Sequence, residues 1–174
     1  MQTAVEKAKQ IKLLILDVDG ILTTGIVYYV GQHEQMRGFH LHDGLGIKLM
    51  QKCDINIAII SGKRSEAVEK RVAELGIEHA YLGNDNKLPA YDELKTNLNL
   101  QDHEIAYMGD DLPDLPLLRR AGLAVTVPNA PVIIQQHVDI VTTKKGGKGA
   151  VREICEFILN AQEKYQPLLQ SYLT

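Results

Sequence analysis

The sequence predicts an α/β protein in which helices flank a parallel sheet. Short apolar runs typical of buried strands recur along the 174 residues, and segments with the apolar spacing of amphipathic helices separate them. The clearest runs are Leu13–Leu16, Ile55–Ile60 and Ile105–Met108. Strands that alternate with helices favour parallel pairing through right-handed crossovers, so we expect one sheet within a single domain over residues 1–174.

The first part of the chain is predicted to contain a short helix, the first sheet strand and an inserted β-hairpin. The helix lies within residues 1–12 and leads into Leu13–Leu16. The β-branched and aromatic run 26–30, a turn and a returning run predict a hairpin over residues 26–40. Two strands alone cannot bury its apolar side chains, so we expect the hairpin to pack against a neighbouring subunit.

Strands and helices alternate regularly through the rest of the chain. Strands are predicted at 55–60, 79–82, 105–108, 123–127 and 139–141, and helices at 43–52, 65–75, 87–98, 115–121, 130–136 and 150–164. Ser65 is the predicted N-cap and Gly76 the residue after the C-terminus of one of these helices. A glycine-rich loop spans 146–149, and we expect residues 165–174 to form a loosely held, mobile tail.

Composition and charge exclude several function classes. A formal net charge of −3 argues against a nucleic-acid partner. No apolar run approaches the ~20 residues that a membrane-spanning helix needs, and residues 1–12 lack the apolar core of a signal peptide. Cys53 and Cys155 have no zinc-site spacing and are predicted to be reduced thiols. We therefore expect a cytoplasmic protein without membrane insertion.

Acidic residues follow two of the predicted strands. Asp17 and Asp19 come after the first strand, and Asp110, Asp111 and Asp114 come after the strand 105–108. The carboxyl ends of parallel strands lie at one edge of the sheet, so these side chains can converge there. Neighbouring carboxylates repel unless a proton or a cation intervenes, and oxygen ligands favour Mg²⁺. An Asx turn and an acidic helix start are the alternative readings.

Candidate phosphate ligands follow two other strands. Ser61 and Gly62 end the strand 55–60, and Lys87 begins the helix after the strand 79–82. The alternatives are that Ser61 and Gly62 form an ordinary turn and that Lys87 is a solvated surface residue. A hydroxyl, a backbone N–H and an ammonium group can bind a phosphoryl group, and with a metal ion they provide what phosphoryl transfer requires. Asp17 is then the candidate nucleophile, and Asp19 the general acid that later acts as base.

The order of these residues resembles the haloacid dehalogenase superfamily of phosphohydrolases. The matching positions are Asp17-x-Asp19-Gly20, Ser61-Gly62, Lys87 and Gly109-Asp110-Asp111-x-x-Asp114. The resemblance covers nearly the whole chain and implies the Rossmann-like sheet of that superfamily, here capless because no insertion is large enough for a second domain. It also implies that the first strand and the strand 105–108 are neighbours.

The resemblance implies a role for each matching residue. The catalytic pair is Asp17 and Asp19, and Asp17, Asp110 and the backbone carbonyl of Asp19 bind Mg²⁺. Asp111 and Asp114 act as ligands or as support for them. Phosphate and substrate are bound by Ser61, Gly62, Lys63 and Lys87.

Within the superfamily, the chain is similar to the phosphatases of 3-deoxy-D-manno-octulosonate 8-phosphate. The hairpin, the run Phe39-x-x-x-Asp43-Gly44-x-Gly46-Ile47 and the late run Gly146–Glu153 carry this similarity. It implies hydrolysis of that sugar-acid phosphate for lipopolysaccharide synthesis, in a homotetramer with hairpins and C-terminal tails at subunit contacts. Lys63 stands where the family commonly has arginine, which gives a point charge instead of a bidentate fork. Phosphatases of nine-carbon sugar-acid 9-phosphates, a phosphotransferase or mutase, and a silent scaffold are the alternatives.

Overall fold

A computed structural model describes residues 2–30 and 34–173. Its helices and strands are α1 (Ala4–Ala8), β1 (Leu13–Leu16), β2 (Tyr28–Val30), β3 (Glu34–Met36), α2 (Leu41–Lys52), β4 (Asn56–Ser61), α3 (Glu66–Leu75), β5 (His79–Leu82), α4 (Leu88–Asn97), β6 (Ile105–Met108), α5 (Leu115–Leu118), β7 (Leu123–Thr126), α6 (Val132–Gln135), β8 (Ile140–Val141), α7 (Ala150–Ala161) and α8 (Tyr165–Gln170). Short 3₁₀ helices cover Asp102–Glu104 and Leu112–Asp114.

Six of the strands form one parallel sheet in the order β5-β4-β1-β6-β7-β8. Leu13 lies opposite Asn56 on one side and Ile105 on the other, so β1 is central. All four residues of β1 are buried, as expected for a strand covered on both faces. The predicted α/β class and the pairing of the first strand with the strand 105–108 are confirmed. The order places the residues after β1, β4 and β6 at one edge.

Helices α2 and α7 pack closely against each other. A Cβ added to Gly46 would lie 3.1 Å from the Cα of Arg152, so glycine permits this approach. The buried Asp43 carboxylate accepts hydrogen bonds from the backbone N–H groups of Arg152 (2.8 Å) and Gly149 (3.3 Å). Asp43 therefore caps the N-terminus of α7 from a different helix and fixes the end of the glycine-rich loop.

Several predicted helices differ in their bounds from the observed ones. The helix predicted over 115–121 is helical only over Leu115–Leu118. The last long helix ends at Ala161 and not at residue 164, because Glu163 takes a left-handed φ of 59° that cannot continue a helix. Ser65 and Gly76 take their predicted capping positions, and Gly76 has the left-handed φ of 60° that suits glycine.

The predicted hairpin forms a separate two-stranded antiparallel sheet, with Tyr28 opposite Met36. Its strands are shorter than the predicted span 26–40, and residues 31–33 of the predicted turn lie outside the described residues. The apolar side chains of the hairpin are exposed, and Tyr29 has 76% of its surface accessible. The hairpin does not bury them within this chain.

The segment predicted as a loose tail is helical over Tyr165–Gln170. The Tyr165 hydroxyl donates to Glu156 at 2.9 Å, and Leu168 packs against the core. These contacts explain why the segment follows the surface of the protein. In residues 2–30 and 34–173, every helix is too short or too polar to cross a bilayer.

Candidate active site

The acids that follow β1 and β6 meet at the carboxyl edge of the sheet. The backbone N–H of Asp17 continues the β1–β6 pairing by donating to the Met108 carbonyl at 2.9 Å. Carboxylate oxygens of Asp17, Asp110 and Asp114 all lie within 4.8 Å of one another. The parallel register therefore brings together side chains that are nearly a hundred positions apart in sequence.

Lys87 neutralises part of this acidic cluster. It occupies the N-cap position of α4, and its Nζ donates to Asp17 Oδ1 at 2.7 Å and to Asp114 Oδ1 at 2.6 Å. Its side chain is 4% exposed. Burial lowers the pKa of Lys87, but the two carboxylates outweigh that effect and raise the pKa above its ordinary value. The ammonium group therefore stays charged inside the site.

Asp114 organises the cluster through four hydrogen bonds. Its Oδ1 accepts from Lys87 and from the Tyr107 hydroxyl at 2.5 Å, and its Oδ2 accepts from the backbone N–H groups of Asp110 (2.9 Å) and Asp111 (3.1 Å). With both oxygens occupied, Asp114 is suited to holding its neighbours in place. Tyr107 is a site residue that was not predicted, because its only signal in the sequence is a hydroxyl on an otherwise apolar strand.

The crowding of carboxylates changes how readily they ionise. Burial, followed by the charge of Asp114, raises the pKa of Asp17 to about 7, although Lys87 opposes the shift. Burial, followed by the charges of Asp17 and Asp114, raises the pKa of Asp110 to about 7. A divalent cation would replace the protons that these groups otherwise hold near neutral pH.

The residues around Asp110 fit a metal ion. A Cβ added to Gly20 would lie 2.0 Å from Asp110 Oδ2, so only glycine leaves room for this carboxylate beside the loop after β1. Gly20 also has a φ of 91°, which favours glycine. Paired carboxylates with a nearby backbone turn supply the oxygen ligands that Mg²⁺ prefers.

The candidate phosphate ligands lie beside the cluster. Ser61 is the buried last residue of β4, and its hydroxyl accepts from the backbone N–H of Lys63 at 3.3 Å. A Cβ on Gly62 would meet Asp85 Oδ1 at 2.4 Å, which explains glycine here. The Lys63 side chain is exposed at the rim. These residues and Lys87 can cradle a phosphoryl group.

Asp19 has a different partner. Arg37, the residue after β3, donates from Nε to Asp19 Oδ1 at 2.9 Å and from Nη2 to Oδ2 at 3.4 Å. Its third nitrogen, Nη1, donates to Gln35 at 3.0 Å. The Asp19 side chain therefore lies outside the three-carboxylate cluster and is tied to the hairpin. This pair could not be predicted, because no local sequence pattern links positions 19 and 37.

The glycine-rich loop packs against the backbone that follows the first two acids. The Gly147 N–H donates to the Ile21 carbonyl at 2.9 Å, and a Cβ on Gly146 would lie 1.6 Å from the Gly20 carbonyl oxygen. The close approach requires glycine. Asp111, another predicted support, is exposed and accepts from the Leu112 N–H at 2.8 Å, so it caps the 3₁₀ helix after β6.

A cavity of about 310 Å³ contains all of the predicted site residues. It is lined by Asp17, Asp19, Gly25, Ser61, Gly62, Lys63, Asp85, Lys87, Asp110, Asp111, Pro113 and Asp114. Its volume is in the range of small-molecule sites. The cavity holds the buried carboxylate of Asp17, the carboxylate of Asp19, a cluster of acids suited to a metal ion and the candidate phosphate ligands. These groups together can carry out phosphoryl transfer.

Comparisons with known proteins find phosphatases among the proteins that this chain resembles. A family model described as haloacid dehalogenase-like hydrolase matches residues 81–154. The 3-deoxy-D-manno-octulosonate 8-phosphate phosphatase of Yersinia pestis is 43% identical over 162 residues, which cover 93% of this chain and 87% of that protein. The corresponding phosphatase of Escherichia coli K12 is 44% identical over 160 residues, or 92% of this chain and 85% of that protein.

Solved structures agree over almost the entire chain. A probable phosphatase of Pseudomonas syringae superposes with a TM-score of 0.96 at 42% identity, covering 98% of this chain and 97% of that one. The 3-deoxy-D-manno-octulosonate 8-phosphate phosphatase of Moraxella catarrhalis, solved with magnesium, phosphate and the sugar acid, has a TM-score of 0.95 at 42% identity, with 97% of both chains covered.

Proposed function

The chain belongs to the 3-deoxy-D-manno-octulosonate 8-phosphate phosphatase family of haloacid dehalogenase-like hydrolases, and we propose that it hydrolyses 3-deoxy-D-manno-octulosonate 8-phosphate to the free sugar acid and phosphate. The reaction is Mg²⁺-dependent and serves lipopolysaccharide synthesis. The observation that carries the proposal is the meeting of Asp17, Asp110 and Asp114 with Lys87 at the carboxyl edge of the sheet.

Asp17 acts as the nucleophile in this proposal. One of its oxygens attacks phosphorus while the bond to the sugar oxygen breaks, which gives an aspartyl-phosphate and the sugar alcohol. The carboxyl group of Asp19 gives its proton to the leaving oxygen. The resulting Asp19 carboxylate then takes a proton from the water that attacks the same phosphorus, which releases phosphate and restores Asp17. Asp17 is buried directly after the buried strand β1, which supports its role as the nucleophile.

The remaining site residues bind and neutralise. Asp17, Asp110 and the backbone carbonyl of Asp19 would hold Mg²⁺, which when bound supplies positive charge to the phosphoryl oxygens. Ser61 and the backbone N–H groups after it bind the phosphoryl group, and Lys87 adds an ammonium group beside it. Asp114 keeps Lys87 next to Asp17, as its hydrogen bond at 2.6 Å supports.

We also propose that each chain folds as one domain over residues 1–174. Four chains then form a homotetramer, with the hairpins and C-terminal tails at subunit contacts. The exposed aromatic residues of β2 support it, because solvent-exposed apolar clusters of this kind favour association. Sedimentation velocity should give a tetramer for the unmodified chain and smaller species for Tyr29→Lys. A monomeric unmodified chain would contradict this part.

The proposal also places the enzyme in the cytoplasm. Cys53 and Cys155 are free thiols, and Cys155 is buried in the core. Unpaired cysteines are typical of a reducing compartment. Fractionation of a cell that produces the full chain should recover it with cytoplasmic markers, and recovery with periplasmic markers would contradict this placement.

A substrate panel tests the proposed activity. Phosphate release with Mg²⁺ is measured on the eight-carbon sugar-acid 8-phosphate, on a nine-carbon sugar-acid 9-phosphate and on neutral sugar phosphates. We expect the highest kcat/KM on the eight-carbon substrate. A preference for the nine-carbon substrate would reassign the substrate, and transfer of phosphate to an added alcohol would make the protein a phosphotransferase.

A further inference from the structure

Tyr107 is a buried tyrosine whose hydroxyl lies inside the acidic cluster of the site. It belongs to β6, where it lies opposite Ile15 of β1 and Ala124 of β7, and it is fully buried. Because alternate residues of a strand point to the same face of a sheet, Tyr107 and Asp17, two positions after Ile15, share a face. The packed core around the ring holds it in one position, so its hydroxyl is a fixed point of the site.

The ammonium group of Lys87 is shared between two carboxylates at nearly equal distances. Its Nζ lies 2.7 Å from Asp17 Oδ1 and 2.6 Å from Asp114 Oδ1. The Tyr107 hydroxyl oxygen lies 3.5 Å from the same nitrogen, so each N–H of the ammonium group has a neighbouring oxygen. The carboxylate that retains more charge attracts the ammonium group more strongly. The position of this positive charge therefore depends on the other hydrogen bonds of the two carboxylates.

The Tyr107 hydroxyl weakens the attraction of Asp114 for Lys87. It donates to Asp114 Oδ1 at 2.5 Å, and this is the same oxygen that accepts from Lys87. A hydrogen bond from a hydroxyl to a carboxylate is charge-assisted and strong, so it compensates part of the charge of that oxygen. Without the hydroxyl, Lys87 would be the only donor to Oδ1 among the residues that the structure describes. The ammonium group would then shift away from Asp17 and towards Asp114.

We propose that Tyr107 is a positioning residue that keeps the positive charge of Lys87 beside Asp17 and the phosphoryl group that Asp17 receives. The inference rests on the proposed function, because that function assigns Lys87 to the phosphoryl group. Tyr107 acts only through Asp114 and Lys87, and no covalent bond changes at its hydroxyl. When the hydroxyl is removed, less positive charge faces the oxygens of the phosphoryl group in the transition state, so kcat falls.

A double-mutant cycle between Tyr107 and Lys87 tests this role. The value of kcat for the sugar-acid 8-phosphate with Mg²⁺ is measured on the unmodified enzyme, Tyr107→Phe, Lys87→Gln and the double variant. We expect Tyr107→Phe to lower kcat by about 10–100-fold, because a displaced charged group loses its contact in the transition state. In the Lys87→Gln background, the same substitution should change kcat by less than about threefold.

A merely structural role for Tyr107 predicts equal losses of kcat in both backgrounds, and that outcome would overturn the inference. An unchanged kcat in Tyr107→Phe would overturn it too. Tyr91→Phe is the matched control, because Tyr91 is equally buried and its hydroxyl donates to Asp102 at 3.1 Å, outside the site cavity. We expect this control to change kcat by less than about twofold. A loss in Tyr91→Phe as large as that in Tyr107→Phe would contradict a specific role for Tyr107.

A donor restored at the same place should restore part of the activity. At position 107, 4-aminophenylalanine replaces the hydroxyl with a neutral amine, which is a weaker donor to a carboxylate. We expect its kcat to lie between those of the unmodified enzyme and Tyr107→Phe. Circular dichroism verifies that each variant is folded. If Tyr107→Phe is unfolded, the cycle is run with 4-aminophenylalanine, and an unchanged kcat or an equal loss in both backgrounds would then overturn the inference.

A binding measurement separates this inference from the proposed activity. Calorimetry measures the affinity of the Mg²⁺-loaded protein for inorganic phosphate in the four members of the cycle. Tyr107→Phe should weaken phosphate binding when Lys87 is present and leave it unchanged in the Lys87→Gln background. If the sugar-acid phosphate is hydrolysed, the kinetic cycle decides, and a cycle without coupling shows that the inference alone is wrong. If no substrate is hydrolysed, the proposed activity is wrong, and coupling in the binding cycle decides whether the inference stands.

Discussion

Asp17 and Asp19 are two positions apart in sequence but lie in different parts of the molecule. Asp17 is buried at the end of a central strand, where it contacts Lys87 and faces Asp110 and Asp114. Asp19 is more exposed, and its partner Arg37 follows the hairpin. The sheet therefore fixes the proposed nucleophile, whereas the hairpin holds the proposed general acid.

The largest expected effect comes from breaking the buried side of this comparison. Asp17→Asn keeps the shape of the side chain but removes the nucleophile, so phosphate release should fall by at least about 10⁴-fold. Steady-state kinetics with Mg²⁺ measure the loss, and thermal unfolding verifies the fold. Activity within tenfold of the unmodified enzyme would show that Asp17 is not the nucleophile.

Asp19→Asn should affect the two half-reactions differently. Loss of a general acid slows formation of the aspartyl-phosphate by about 10²–10⁴-fold when the leaving group is an alcohol. With p-nitrophenyl phosphate, whose leaving group needs no proton, we expect a burst of one p-nitrophenolate per active site, followed by slow turnover. Stopped-flow absorbance measures the burst.

The matched control for that burst is Asp17→Asn, which should give none. If Asp19→Asn instead turns over p-nitrophenyl phosphate and the sugar-acid phosphate with equal losses and no burst, the two acids do not have separate roles.

Binding of Mg²⁺ should depend on pH, because Asp17 and Asp110 must lose protons to bind it. Their pKa values are about 7 in the metal-free protein, so the affinity should rise from pH 6 to pH 8 and level off above that. We expect the affinity for Mg²⁺ to increase by about 10–100-fold between pH 6 and pH 8, because binding releases about one to two protons over this range. Calorimetry in buffers of different ionisation enthalpy measures the affinity and the protons released. A constant dissociation constant over this range would contradict the raised pKa values.

A smaller effect is expected on stability. Because the folded state raises the pKa of Asp110 above its unfolded value of 3.8, the ionised carboxylate destabilises the metal-free fold progressively as the pH rises from about 4 to about 7. Asp110→Asn removes that charge, so it should increase the free energy of unfolding at pH 8 by about 1–3 kcal/mol. The gain should be smaller at pH 5, where the folded carboxyl is mostly protonated.

Urea unfolding in the presence of a chelator measures this difference between the two pH values. Asp111→Asn is a suitable control, because Asp111 is exposed and caps a 3₁₀ helix. If Asp110→Asn destabilises the metal-free protein at pH 8, electrostatic crowding does not govern this site.

The sheet and the convergence of acids could be predicted because they depend on local patterns and on one rule of topology. The apolar runs Leu13–Leu16 and Ile105–Met108 predict buried strands, and parallel strands have their carboxyl ends at a common edge of the sheet. Arg37 and Tyr107 could not be predicted. Their partners, Asp19 and Asp114, are set by side-chain directions that appear only when the hairpin and β6 are in place.

The chemistry of Asp17 can be tested most directly by trapping its phosphorylated form. The enzyme is mixed with Mg²⁺ and substrate, quenched within one turnover and treated with borohydride, which reduces an aspartyl-phosphate to homoserine. We expect mass spectrometry to locate homoserine at position 17 and to find none in Asp17→Asn. Homoserine at another aspartate, or none while phosphate is released, would contradict the account.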